Sequence, residues 1–208
     1  MSSTTAENSF AKPKIGARQI AVTGMLGAIS IILQFFEFVI PIMPAFVKLD
    51  LSDLPALLGA FALGPWYGVA ICLIKNIFHL VTSSSALVGE LCNFMLGASF
   101  VLPAGYIYKS KKTKKTAVIG AIVGAVCMAA FSFPSNYFIT YPMYINLYGM
   151  SEEVILSMYQ AILPSMKTLA QCLLIFNLPF TFVKAMISVV ITLLIYKPLS
   201  PLLHGREK

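Results

Sequence analysis

Long apolar stretches separated by short polar ones dominate the chain. The first stretch predicts a helix from about Arg18 to Ile40, which ends at Pro41 and Pro44 because a residue before proline is biased away from helix. A stretch of about 20 apolar residues is long enough to cross the hydrocarbon core of a bilayer. We therefore expect an all-α protein built from membrane-spanning helices.

The second apolar stretch runs from Leu54 to Val81 and is interrupted at residues 64–68, Gly-Pro-Trp-Tyr-Gly. It forms either one broken span or two short ones. Cytoplasmic loops of membrane proteins carry an excess of lysine and arginine, and a lysine-rich loop follows at residues 109–115. With the amino terminus inside, that loop is cytoplasmic only if the second stretch forms two helices. The sequence therefore predicts a helical hairpin, with Trp66 and Tyr67 near the inner membrane surface.

The remaining apolar stretches predict three further helices, Val88 to Tyr108, Thr116 to Tyr141 and Leu178 to Tyr196. Asn177 is expected to cap the last of them, and Pro179 is tolerated in its first turn. This brings the number of predicted spans to six.

The connection from Pro142 to Phe176 is less apolar and is expected to be an extracellular loop with short helices. One of these starts at Ser151, an N-cap followed by two glutamates, and stops before Pro164. The prediction is a single integral membrane domain over residues 1–208, a six-transmembrane-helix bundle with cytoplasmic termini. Residues 1–16 are expected to be a disordered cytoplasmic segment.

Composition supports a membrane location, because 58% of the residues are hydrophobic and only 11% are charged, whereas soluble domains carry about a quarter charged residues. The formal charge of +7 does not indicate nucleic acid as a partner. The basic residues flank the predicted helices, as the positive-inside rule requires: Lys12, Lys14 and Arg18; Lys109, Lys111, Lys112, Lys114 and Lys115; Lys197, Arg206 and Lys208.

Polar side chains gather at one level, near the outer ends of the predicted helices. They are Glu37, Asp50, Ser52, Asp53, Lys75, Asn76, His79, Glu90, Asn93, Asn136, Thr140, Asn177, Thr181, Lys184 and Ser188. A charged residue within a span costs about 2.5–3.5 kcal/mol on insertion scales, so a shared wet cavity is favoured over exposure to lipid. For any single Asn or Thr, a role in holding helices together is an equally good interpretation. For Glu37, His79 and Ser188 that structural role is the favoured one.

Small residues form a stripe on the first helix: Ala17, Ala21, Gly24 and Ala28. Such stripes allow close approach of another helix. From the residues alone, that helix belongs equally well to this chain or to a partner protein.

Recognisable catalytic chemistry is missing from the sequence. It contains no HExxH, no GxSxG and no glycine-rich phosphate loop, although a Ser–Lys dyad stays open. The cysteines Cys72, Cys92, Cys127 and Cys172 match neither a zinc pattern nor a secreted disulfide framework. Energy for any active transport must come from another polypeptide or from an ion gradient.

Several segments in fixed order resemble the riboflavin-specific S component of energy-coupling factor (ECF) vitamin transporters. They are residues 49–55 (Leu-Asp-Leu-Ser-Asp-Leu-Pro), 64–68 (Gly-Pro-Trp-Tyr-Gly), 75–76 (Lys-Asn), 89–94 (Gly-Glu-Leu-Cys-Asn-Phe), 136–138 (Asn-Tyr-Phe) and 179–184 (Pro-Phe-Thr-Phe-Val-Lys). The resemblance implies a six-helix subunit of a prokaryotic cell membrane. It captures riboflavin at the outer face and works with a transmembrane coupling protein and two ATPases. The stripe Ala17, Ala21, Gly24 and Ala28 is similar to the family's docking surface for the coupling protein.

The resemblance also implies roles in the binding site. Asn136 with Thr181 or Lys184 would meet the imide edge of the flavin. The tail hydroxyls would bond to Asp50, Lys75, Asn76 and Glu90, and the ring would pack on Phe46, Leu49 and Tyr137. The family commonly has Asn where this chain has Thr181, and Asn177 is a candidate to compensate. No cofactor or metal is expected, and acceptance of flavin mononucleotide stays open.

Two alternatives accompany this hypothesis. The first is an S component for another vitamin, such as thiamine or a pyridoxine-like compound. The second is an intramembrane enzyme acting on lipid.

Overall fold

The computed structural model describes residues 16–81 and 87–204, with side chains up to residue 196. Residues 1–15, for which disorder was predicted, lie outside this range, as do Lys12, Lys14, Arg206 and Lys208. The side chain of Lys197 is likewise not described.

Helices make up most of the described chain. They are α1 (Ala17–Phe35), α2 (Asp53–Ala62), α3 (Pro65–His79), α4 (Val88–Ser110), α5 (Lys114–Ser135), α6 (Tyr141–Tyr148), α7 (Glu152–Gln160), α8 (Leu169–Cys172) and α9 (Leu178–His204). A π-helical turn, Asn136–Thr140, joins α5 to α6, and a second, Leu173–Asn177, joins α8 to α9.

Four of the described helical stretches are long and apolar enough to cross a membrane: Ala17–Phe35, Val88–Ser110, Lys114–Tyr148 and Leu169–Tyr196. The shorter helix Asp53–Ala62 is also apolar. The described part of the molecule is therefore a bundle of apolar helices, as the all-α prediction requires.

The first helix ends at Phe35, before the predicted Ile40. Residues Phe38–Val39 instead form a short strand, β1, which pairs antiparallel with β2 (Lys48–Leu49). Extended backbone suits this segment because aromatic and β-branched residues are enriched in strands, and Pro41 prevents helix from continuing. The hairpin holds the loop between α1 and α2 against the end of the bundle.

The predicted break between the second and third helices is confirmed. Gly64 has φ of 123°, a backbone conformation that side-chain-bearing residues rarely adopt. Pro65 then occupies the first position of α3. A backbone N–H at this position has no partner within the helix, so its absence in proline costs no hydrogen bond.

Both π turns lie just before a proline. The N–H of Tyr141 donates to the carbonyl of Asn136, and that of Leu178 donates to the carbonyl of Leu173, which widens each turn by one residue. A proline, Pro142 or Pro179, follows shortly after each turn and cannot donate a backbone hydrogen bond. The chain therefore stays helical through both prolines by adopting the wider geometry, typical of π bulges.

This continuity corrects two boundaries in the prediction. The fifth helix runs on through α6 to Tyr148, so the connection that follows is shorter than 142–176. Asn177 is not an N-cap, because it lies inside continuous helix that begins after Thr168. The cap is Thr168, whose hydroxyl accepts a hydrogen bond from the Gln171 N–H at 3.3 Å. By contrast, the Ser151 cap of α7 is confirmed by its 3.3 Å bond from Val154.

The apolar core lies between α1, α2, α3, α4, α5 and α9. Its fully buried members include Leu57, Ile71, Phe100 and Met128. Helices α4 and α5 approach closely at Gly120, where an added Cβ would lie 2.7 Å from the Ala104 carbonyl oxygen. Small residues give membrane helices this kind of close packing.

A buried ion pair ties α3 to the start of α2. Lys75 Nζ lies 2.6 Å from Asp53 Oδ1 and 2.5 Å from Ser52 Oγ, and neither charged side chain is exposed to any extent. Ser30 on α1 donates to the carbonyl oxygen of Ser52. The polar start of α2 is thereby linked to both α1 and α3.

Replacing Lys75 with Met should lower stability strongly, because it leaves the Asp53 carboxylate buried without its partner. The expected loss is about 3–5 kcal/mol, as for other broken buried pairs. The double variant Lys75→Met with Asp53→Asn removes both charges and should recover most of that loss. Thermal unfolding in detergent measures both. If the double variant is as unstable as the single one, Lys75 stabilises the protein through something other than its ion pair with Asp53.

Candidate functional site

A cavity of about 360 Å³ opens at the end of the bundle where the loop after β1 enters α2. Its wall is contributed by the ends of α1 and α3, the start of α4, both π turns and α9. The volume lies within the range of small-molecule sites, about 300–1,000 Å³. Polar side chains from distant parts of the sequence therefore do meet around one space.

One end of the cavity is charged. Glu37 accepts a hydrogen bond from Lys48, and His79 Nδ1 lies 3.0 Å from Glu90 Oε1. His79 Nε2 also lies 3.9 Å from Glu37 Oε1. All of these side chains line the cavity. Glu37 and His79 thus make the structural contacts that were expected of them. They also line the cavity, which was not expected.

The floor is an ion pair between the loop and α9. Lys184 Nζ donates to Asp50 Oδ2 at 2.7 Å. Asp50 Oδ1 accepts from the backbone N–H of Ser52 at 2.8 Å. Burial raises the pKa of Asp50, but the Lys184 and Lys75 ammonium groups lower it by more, so this pKa lies well below its usual range. Asp50 is therefore a carboxylate throughout the physiological pH range.

Uncharged hydrogen-bonding groups line the side wall. Asn136 and Thr140 come from the first π turn, Asn177 from the second, and Thr181 from α9. Asn136 Nδ2 donates to the Ser132 carbonyl oxygen at 2.8 Å, which fixes the amide. Its Oδ1 faces, among the described residues, only the weak thiol donor of Cys92 at 3.5 Å. A ligand N–H would be a better donor to that oxygen.

The other end of the cavity is aromatic. Phe46 packs edge-on against Tyr141, with ring centroids 6.2 Å apart, and lies at the same distance from Tyr144. Tyr148 lies one turn further along α6 and also lines the cavity. Apolar rings at one end and ionisable groups at the other suit a ligand with a flat apolar part and a polar part.

Several predicted site residues do lie at this cavity: Phe46, Asp50, Glu90, Asn136, Thr181 and Lys184. Four others do not line it. Lys75 forms an ion pair with Asp53, and Asn76 donates to the Cys72 carbonyl oxygen at 2.7 Å. Leu49, in β2, is buried. Tyr137 is 40% exposed and stacks on Phe133 on the outside of the bundle.

Some cavity residues were not proposed from the sequence. Tyr141, Tyr144 and Tyr148 lie on one helical face, at spacings of three and four residues. That signal was obscured because the fifth helix was expected to end before Pro142. Gln34 lies one turn beyond buried Ser30 on α1, so helical spacing was available to find it.

The small-residue stripe on α1 faces outward. Ala17, Ala21, Gly24 and Ala28 are all exposed, and a Cβ added at Gly24 would meet no atom within 4 Å. Within residues 16–81 and 87–204, the stripe therefore does not serve contact with another helix.

Metal chemistry has no support among the residues described. No cluster of three or more His, Cys, Asp or Glu side chains within this part of the chain could hold a metal ion. The four cysteines are unpaired thiols.

Comparison with known proteins adds independent information. Residues 18–196 match the family model described as "ECF transporter, substrate-specific component". The chain is 31% identical to the riboflavin transporter RibU of Staphylococcus aureus (strain TCH60), over 88% of this chain and 90% of that protein. It is 29% identical to the riboflavin transporter FmnP of Bacillus subtilis (strain 168), over 61% of this chain and 68% of that protein.

A solved structure, described as the S component of a bacterial ECF transporter, superposes with a TM-score of 0.70 and 32% sequence identity. The match covers 89% of this chain and 97% of that one. The family model, the RibU relative and the solved structure cover nearly the same length of the chain. The chain therefore belongs to the family of substrate-specific components of ECF transporters.

Proposed function

We propose that this chain is the riboflavin-binding S component of an ECF importer in a prokaryotic cell membrane. The observation that carries the proposal is a cavity with an aromatic end, an amide-lined wall and a charged end. Riboflavin has a flat ring, an imide edge and a polyhydroxyl tail. The similarity to riboflavin transporters of two bacteria supports the same substrate.

The ring of the flavin would occupy the aromatic end, against Phe46, Tyr141 and Tyr144. Asn136 Oδ1 would accept the imide N–H, while Thr181 offers a hydroxyl beside it. The tail would point to the charged end, where Glu90 and Lys48 offer acceptors and donors for its hydroxyls. Ionised Asp50 and Lys184 form the floor between the two ends.

The cavity implies a position in the membrane. Helix α2 has 10 residues, so it is about 15 Å long, half of the hydrocarbon thickness of about 30 Å. We propose six membrane-embedded helices, with α2 and α3 forming a hairpin, α5 continuing through α6, and α8 continuing through α9. Both termini are then cytoplasmic, the lysine-rich loop is inside, and the cavity fills the space beyond the outer end of α2.

The exposed stripe on α1 would dock the coupling protein. Helices that approach through small residues pack backbone against backbone, and the stripe is exposed over several turns. The transport step itself would draw on two ATPase subunits, because the sequence contains no nucleotide-binding motif. The chain would act as a binding subunit and not as an enzyme.

Purified protein should bind riboflavin with one site per chain and quench its fluorescence. A large excess of thiamine or pyridoxine should not displace the flavin, because neither molecule has the imide edge and the polyhydroxyl tail that the proposed binding mode uses. Flavin recovered after long incubation should be chemically unchanged. A colourless protein that leaves riboflavin fluorescence unaltered would remove the proposal, and displacement by thiamine would favour the other-vitamin alternative.

The proposed topology predicts opposite accessibility for two exposed positions. With Ser151→Cys, a membrane-impermeant maleimide should label intact cells, because α7 lies outside. With Lys112→Cys, labelling should require opened membranes, since the lysine loop is inside. Protein with only its native cysteines supplies the background. The reverse pattern would invert the proposed orientation.

Docking through α1 predicts that binding and transport can be separated. Ala21→Leu should leave riboflavin affinity unchanged but lower uptake about tenfold or more in cells that supply the whole transporter, because the added bulk prevents close helix approach. The matched control is Ala130→Leu, the same substitution at an exposed position on α5. Equal uptake by the two variants would exclude the stripe as the docking surface.

A further inference from the structure

A closed ring of three hydrogen bonds lies behind the aromatic end of the cavity. Tyr141 and Tyr159 bring their hydroxyl oxygens within 2.6 Å of each other. Tyr159 donates to Asn177 Oδ1 at 2.6 Å, and Asn177 Nδ2 donates to the Tyr141 oxygen at 3.3 Å. The ring joins α6, α7 and the second π turn.

Because the Asn177 carbonyl oxygen faces Tyr159 and its NH₂ group faces Tyr141, the proton count fixes the direction of every bond in this ring. Each tyrosine hydroxyl carries a single hydrogen. Tyr159 uses its hydrogen on Asn177, so Tyr141 must donate to Tyr159. The Tyr141 oxygen is then free to accept from Asn177.

This orientation leaves one polar group of Asn177 unused within the ring. Its Oδ1 is occupied by Tyr159, and one hydrogen of Nδ2 is occupied by Tyr141. The amide nitrogen has a second hydrogen, and Asn177 lines the cavity while being only 5% exposed. A buried donor of this kind favours a ligand acceptor atom, because leaving it unpaired costs about 1–3 kcal/mol.

Tyr159 has no place in the cavity wall itself. It is fully buried on α7, with Phe46 packed edge-on against its ring. Burial raises its pKa above the usual value, so it remains a hydroxyl donor. Its role toward the cavity can therefore act only through the groups that it holds.

We propose that Asn177 recognises the substrate as a hydrogen-bond donor, and that Tyr159, which binds the amide oxygen, is the positioning residue that holds Asn177 in this orientation. The inference rests on the proposed riboflavin function. The acceptor is a carbonyl oxygen of the flavin ring, because Phe46 and Tyr141 place Asn177 at the aromatic end. It complements Asn136, which offers its carbonyl oxygen to a ligand donor.

The test compares riboflavin with its 2-thio and 4-thio analogues, in which one ring carbonyl oxygen is replaced by sulfur, a poor acceptor. Wild-type protein should bind one analogue about 3- to 10-fold more weakly than riboflavin, the range of one hydrogen bond. Tyr159→Phe should weaken riboflavin binding by a similar factor and abolish the difference between riboflavin and that analogue.

The matched control is Tyr108→Phe, which removes one hydroxyl from the Tyr108–Tyr196 pair, 2.9 Å apart at the opposite end of the bundle. It should leave the affinities for all three flavins unchanged. Should Tyr159→Phe not fold, Asn177→Leu removes the donor while both tyrosines can still bond to each other, and it should give the same loss of discrimination.

The inference fails if either variant that folds binds all three flavins as wild type does, or weakens all three by one common factor. A common factor would mean a structural role only. Failure of wild-type protein to bind riboflavin would instead overturn the proposed function, so the two failures are distinguishable.

Discussion

Two ion pairs at the start of α2 determine the shape of the candidate site. Asp53 is neutralised by Lys75 from α3, and Asp50 by Lys184 from α9. Lys184 Nζ also lies 3.9 Å from Asp53 Oδ2, so the pairs are adjacent. Buried pairs of this kind contribute little net stability relative to apolar residues, yet removing one member is costly. They therefore hold the loop before α2 in one position, and that loop forms the cavity floor.

This constraint explains why Lys75 and Lys184, so similar in sequence context, have different places. Both were expected at the cavity because a charge within a membrane helix indicates function. Lys75 is paired one layer deeper and is fully buried, while Lys184 reaches the cavity floor. The charge pattern alone identifies the cluster correctly. The charge pattern cannot distinguish a lysine that supports the site from one that lines it, because the position of each lysine depends on which carboxylate it pairs with.

The helical fold was largely predictable because apolar length and proline positions act locally. The break at Gly64 and the cap at Ser151 depend on single residues and their immediate neighbours. The end of α1 depends on the strand pair between residues 38–39 and 48–49, which is a contact across the loop. The two π turns were missed because a proline permits either a helix end or a wider turn. Packing of the surrounding bundle decides between them, and no local pattern contains that information.

The wider turns have a consequence for recognition. Each inserts one residue into a helix, which rotates the following side chains relative to the preceding ones. Asn136 begins the first π turn and Asn177 ends the second, and both amides line the cavity. Two neighbouring helices thus each place an amide of a π turn at the cavity wall. In one, the backbone carbonyl of Ser132 occupies the NH₂ group and leaves the oxygen for a ligand. In the other, Tyr159 occupies the oxygen and leaves an N–H. An acceptor and a donor on adjacent walls match a planar ligand edge that alternates N–H and carbonyl groups, and they disfavour one that offers only donors or only acceptors.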